Sequence, residues 1–190
     1  MNAASSIVLS DRDKRLEVSG SVLTETFRPP GLVLPAHFHE HASIALTVEG
    51  SFTETVGTES YEVNPSNVIF RPAGEKYSNR YGETAARCLI IEVRPERLAA
   101  IRQVTRILDR AAYVEAGLIS NLALTIFRES RMQDAVVPLA IEALTLEMLV
   151  EATRIDCARD RNPPRWLRQI RPVRAQLGLS QPFVIYNATR

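Results

Sequence analysis

The three histidines of the chain fall within five residues, at His37, His39 and His41. On a strand, alternate residues face the same way, so the three imidazoles would share one side. Neutral imidazole nitrogen suits zinc, iron, copper or nickel, and His37 and His39 are the candidate metal ligands. A usable site still needs a third or fourth ligand. The same imidazoles could instead line a pocket mouth as hydrogen-bonding or pH-responsive groups, or simply sit on the rim of a barrel. Glu40 is the only acid beside the cluster and would face the other way, as a surface charge. The sequence has no glycine-rich phosphate loop, no Gly-x-Ser-x-Gly elbow and no Cys–His couple. No catalytic residue is assigned, the chain is not read as an enzyme, and no cofactor is expected.

Elements that could position such a cluster are legible on both sides of residue 94. Before it, short apolar runs are punctuated by Gly, Pro and Asn, the texture of many short strands. Leu32-Val33-Leu34 precedes Pro35, and Ile44, Leu46 and Val48 alternate with Ala45, Thr47 and Glu49. Further runs at 52–56 and 61–63 lead to the turn Asn64-Pro65-Ser66-Asn67. Val68-Ile69-Phe70 then enters Arg71-Pro72-Ala73-Gly74, and 88–93 closes the series. This alternation predicts a barrel or sandwich. After Arg94 the spacing becomes helical, with Leu98, Ile101, Val104 and Leu108 in one set and Leu118, Leu122 and Ile126 in a second. Leu139, Ile141, Leu144, Met148 and Leu149 form a third, with Pro138 near its start. These stripes are expected to pack on the core or to form a dimer face. At Asn162-Pro163-Pro164 a linker and a new helix start are expected, with Trp166, Leu167 and Ile170 on its apolar side. Beyond Pro172 no period holds.

The slots of residues 31–81 resemble the two motifs of the cupin family. The first is glycine, five residues, His-x-His, then a glutamate and a glycine. Here it reads Gly31, His37-Phe38-His39 and Gly50, with Ser43 in the glutamate slot. The second gives Ser66, Pro72-Ala73-Gly74, Tyr77 and Tyr81, so Tyr77 stands where the family places a ligating histidine. The turn-forming residues survive and two of four metal ligands do not. The resemblance therefore implies a binding pocket lined by His37, His39 and Tyr77 more than a metal centre, and His41, on the same face but at a position the family does not use, is a further candidate for ligand binding.

From about residue 27 to 170 the chain also resembles the sensor portion of AraC-type transcription regulators. The carrying segments are 37–41, 49–52, 70–81 and 139–149, together with Asn162-Pro163-Pro164-Arg165-Trp166-Leu167. The resemblance implies a mainly β N-terminal cupin, a double-stranded β-helix barrel, followed by an α-helical segment. The expected organisation is a sensor barrel over 1–94, a helical linker or dimerisation segment over 95–160, and a junction over 161–190. It further implies a small-molecule effector and pairing, either as a homodimer or as a heterodimer with a full-length relative. Only 19 residues follow Arg171, too few for the family's paired helix-turn-helix reader, so a shortened form without DNA binding of its own is expected. The competing reading is a small metal-dependent cupin enzyme, a dioxygenase or isomerase using His37 and His39.

Composition bounds these readings. Up to Thr153 there are 15 Lys+Arg against 20 Asp+Glu, and from Arg154 onward 8 against 2. An acidic body is thus joined to a basic terminal segment, which suits a solvated linker or an acidic partner. Cys88 and Cys157 form no disulfide framework, and no apolar stretch approaches the length of a membrane span. A cytoplasmic protein without membrane partners is expected.

Overall fold

The computed structural model describes residues 13–115, 117–161 and 183–185, with side chains described to residue 156. Nine strands come first: β1 (Lys14–Val18), β2 (Ser21–Arg28), β3 (Val33–His37), β4 (Ala42–Glu49), β5 (Phe52–Val56), β6 (Glu59–Val63), β7 (Val68–Arg71), β8 (Tyr77–Tyr81) and β9 (Ala86–Val93). Then follow α1 (Pro95–Ile101), a 3-10 turn at Ile107–Asp109, β10 (Ala112–Val114), α2 (Leu118–Glu129), α3 (Val137–Arg161) and β11 (Phe183–Ile185).

The strands build two sheets facing each other, one ordered β1-β2-β9-β4-β7-β10-β11 and the other β3-β8-β5-β6. Every pairing is antiparallel except β10 with β11. The larger sheet is covered on both faces, and period-2 alternation decides what each face meets. Ala42, Ile44 and Leu46 of β4, Val68 and Phe70 of β7, and Leu89, Ile91 and Val93 of β9 join one apolar cluster with the helices. Residues of opposite parity on the same strands, Ser43, Thr47, Ile69, Arg71 and Cys88, are also buried, and they turn toward the barrel interior. This double burial explains why β4 is buried without a break from Ala42 to Thr47.

Most of the apolar core therefore lies outside the barrel. α2 and α3 pack along each other and bring Ile119, Ile126, Ile141 and Met148 onto the larger sheet. The cluster between the sheets is smaller, with Phe52, Val63, Ile69, Tyr81, Cys88 and Tyr113 among its members. An interior left so thinly filled with aliphatic groups has room for polar side chains and a cavity.

The fold matches the expected cupin-type β-barrel followed by helices, with differences in detail. The first helical set stops early: α1 ends at Ile101, and Val104 is exposed in the following turn. Residues 112–114, inside the stretch expected to be helical, form β10 and close the larger sheet against β7. Tyr113 is delivered to the interior in this way. The segment at 183–185, which shows no period in the sequence, pairs in parallel with β10. The linker and helix start expected at Asn162-Pro163-Pro164 lie outside the described residues.

Candidate functional site

The two sheets face a partly open cavity with about 700 Å3 of free space, solvent at its mouth included. β2 contributes Thr26 and Arg28, β3 contributes Leu34, Pro35 and His37, and β8 contributes Tyr77, Asn79 and Tyr81. His39, Phe52, Arg71 and Cys88 complete most of the wall.

The histidines reach this wall by a different route from simple strand alternation. β3 ends at His37, with an irregular register against β8 between Leu34 and His37. His39 and His41 follow in the connection to β4. That connection is fixed from outside, because the Gly74 N–H donates to the His39 carbonyl at 2.9 Å. Gly74 sits at φ +77°, the left-handed region that glycine enters at no steric cost, and its turn carries Arg71 on one side and Tyr77 on the other. His37 and His39 lie 6.5 Å apart between ring centroids, and Tyr77 lies 4.4 Å from His37 and 5.9 Å from His39, stacked on the latter. His41 is half-buried just before β4 and is not part of the wall. The structure thus brings together His37, His39 and Tyr77, and it leaves His41 apart.

Both imidazoles are oriented by their Nδ1 atoms. His37 Nδ1 lies 2.8 Å from the Pro35 carbonyl, which can only accept, so the proton sits on Nδ1. Burial pushes His37 below its ordinary value; the bond to Pro35 opposes this, while His39 and Arg71 act in the same direction as burial. At neutral pH His37 therefore offers an unprotonated Nε2. His39 is 4% exposed and directs Nδ1 at Glu92 Oε1, 3.0 Å away. Tyr77 is held firmly in its neutral phenol form by burial, against the pull of Arg71.

The most constrained part of the wall was not among the residues singled out from sequence. Glu54 of β5 is fully buried and accepts from three side chains. Arg71 donates from both Nε (3.3 Å to Oε1) and Nη2 (to Oε2), Asn79 Nδ2 donates at 3.0 Å, and the Tyr113 hydroxyl donates at 2.7 Å. Burial opposes the Arg71 charge, but Glu54, Tyr77 and Tyr113 outweigh it and hold the guanidinium firmly protonated. Its Cζ also lies 4.3 Å from the centre of the Tyr77 ring, a cation–π contact. A second buried pair joins Arg28 Nη1 to Asp13 at 3.2 Å. The signal that could have found Glu54 is parity: it lies between the apolar Phe52 and Val56 on one face of β5. Arg71 likewise has the parity of Ile69 on a strand buried throughout.

The donor set does not fit the metal that cupin motifs imply. Two imidazoles converge, each with Nδ1 already committed, and Ser43 and Tyr77 occupy the slots of the other two ligands. Among the described residues no group of three His, Cys, Asp or Glu is placed to hold an ion. Burial pushes the Cys88 thiol up to about 11, so it stands in the wall as a neutral thiol at neutral pH.

Residues 19–149 match the AraC-like ligand binding domain family. None of the curated protein sequences compared with the chain matches it. Among solved structures the chain is similar to the Schizosaccharomyces pombe Cnp3 cupin domain, at 19% identity and a TM-score of 0.42, covering 53% of this chain and 72% of that one. It is also similar to the Momordica charantia 7S globulin (18% identity, TM-score 0.37, 39% and 24% covered). A third likeness is to the DMSP lyase DddQ from Ruegeria pomeroyi (19% identity, TM-score 0.38, 40% and 39% covered). The chain thus spans about a quarter of the globulin and two fifths of the lyase.

Proposed function

The chain belongs to the AraC-like ligand-binding domain family, which its residues 19–149 match, and on that premise we propose that it is the effector-sensing and dimerisation region of an AraC-type transcription regulator. The observation that carries this reading is the cavity: room for a small molecule, walled by fixed polar groups and aromatic rings. In this reading the barrel binds its effector without turnover, and α3 carries the pairing surface, toward a second copy or a full-length relative. The module by itself contributes sensing and pairing rather than operator contact. Such a regulator works in the cytoplasm; no helix among the described residues is long and apolar enough to cross a membrane.

A second reading has one observation in its favour, the pair His37 and His39 facing a common cavity 6.5 Å apart. It makes the barrel a metal-dependent enzyme. Thermal-shift measurements over a metabolite set, with elemental analysis of the same protein, separate the two. A ligand that binds only the folded state at 100 times its Kd adds about 2.7 kcal/mol of stability. The sensor reading expects at least one organic compound to raise Tm in this way, with no stoichiometric transition metal. A stoichiometric metal that disappears in a His37→Ala/His39→Ala double variant would overturn it.

A further inference from the structure

The charges around the cavity are arranged in depth. Three acid–base pairs approach it: Arg28 with Asp13, Arg71 with Glu54, and His39 with Glu92. In each pair the basic partner lines the cavity and the acid does not. Among the described residues no Asp or Glu contributes to the wall. A ligand inside therefore meets donors and rings, with the carboxylates held behind them.

The arginines keep part of their donor capacity unspent. A guanidinium carries five N–H donors in fixed forks. Glu54 takes Nε and one hydrogen of Nη2 from Arg71, which leaves the end-on fork formed by Nη1 and the second Nη2 hydrogen. Arg28 spends Nη1 on Asp13 and on the Phe27 carbonyl at 3.2 Å, which leaves its Nε and Nη2 edge. Neither remaining fork has a protein partner among the described residues, and both belong to side chains less than a tenth exposed. The Tyr77 and Tyr81 hydroxyls, also on the wall, likewise have none. The wall also carries apolar side chains, Leu34 and Phe52 from the smaller sheet and Cys88 and Ile90 from the larger one that holds both arginines.

We propose, resting on the sensor reading above, that the effector is a small organic carboxylate with an apolar or aromatic body, held head-first by the free fork of Arg71 or that of Arg28. A planar carboxylate matches a guanidinium fork bidentately, which a hydroxyl or an amide oxygen does not. A cation finds no carboxylate to meet. A phosphate or other polyanion is disfavoured as well, because Glu54 and Asp13 already neutralise most of the charge of the two arginines. One negative charge on an apolar body is what the wall complements.

Isothermal titration of the full chain with phenylacetate and hexanoate, each against its amide, tests this without any variant. The expected result is measurable binding of at least one acid and at least about 10-fold weaker binding of its amide, the ratio typical of a charge-assisted bidentate pair. Arg71→Lys keeps a cation beside Glu54, and Arg28→Lys keeps one beside Asp13, yet each loses a fork. At least one of them should fold and lose about 10-fold in acid affinity with little change for the amide. Equal binding of acids and amides, or binding of neutral compounds alone in a wider metabolite screen, overturns the carboxylate assignment and leaves the sensor reading standing. Failure of every organic compound in that screen overturns both.

Discussion

Glu54 concentrates the energetic risk of the interior in one residue. It is fully buried, and the donors of Arg71, Asn79 and Tyr113 converge on its two oxygens. A buried ion pair adds little over an apolar pair of the same shape, but removing one partner leaves a desolvated charge and costs about 3–5 kcal/mol. Glu54→Gln removes the charge and turns an amide N–H toward donors, so it should lower stability by that amount. Tyr113→Phe removes a single bond to a charged group and should cost about 1.5–3 kcal/mol. Urea unfolding at unchanged m-value measures both. Near-native stability of Glu54→Gln would show that the pair is not held as a unit. His37, His39 and Tyr77 are legible as residues of the cavity wall because their spacing matches motif slots within a stretch of 41 positions. Glu54, Arg71 and Tyr113 were not, since 17 and 59 residues separate Glu54 from its partners and only the closed barrel joins them. His41 shows the opposite error: alternation holds only while the strand lasts, and β3 stops at His37.

At the scale of elements, the turns set the registers that place these residues. Gly50 joins β4 to β5 at φ +72°, and a Cβ there would lie 2.1 Å from the Ala85 carbonyl oxygen and 2.8 Å from Ala86 Cα. Gly57 joins β5 to β6 with a similar φ of +60° but open space around it. Gly57→Ala should therefore cost about 1–2 kcal/mol for left-handed backbone alone. Gly50→Ala adds a backbone clash and should cost at least about 2 kcal/mol more, by analogy with overpacking. Thermal unfolding of the two variants side by side checks the difference. Equal shifts in Tm would mean that the strand ends move apart freely. The strands themselves were readable because apolar alternation and Gly/Pro punctuation are local signals. β10 escaped because three residues, Ala112–Val114, are too short to show a period. Its identity comes from the open edge of β7 that it covers.

At the scale of the molecule, α3 is amphipathic on two sides. Val137, Ile141, Thr145, Met148 and Ala152 are buried along one line. Leu139, Leu146 and Val150 are 69%, 42% and 44% exposed, and with Ala143 they are spaced 4-3-4, the interval of a coiled-coil seam. No described residue of the chain buries this second stripe. Helical spacing in the sequence groups Leu139 and Ile141 in one amphipathic set, whereas they lie on opposite sides of the helix. Spacing alone could not assign each stripe to core or surface, because both are apolar at helical intervals. If the exposed stripe is the pairing surface of the proposed sensor, the 21.2 kDa chain should sediment at about twice that mass at micromolar concentration. Leu146→Glu/Val150→Glu places like charges across a two-fold seam and should return it to the monomer mass. The core stripe is untouched, so Tm should hold once the lower association is allowed for. Dimers that persist in this variant would place pairing on another surface. Monomers already present in the unmodified chain would remove dimerisation from the proposed function.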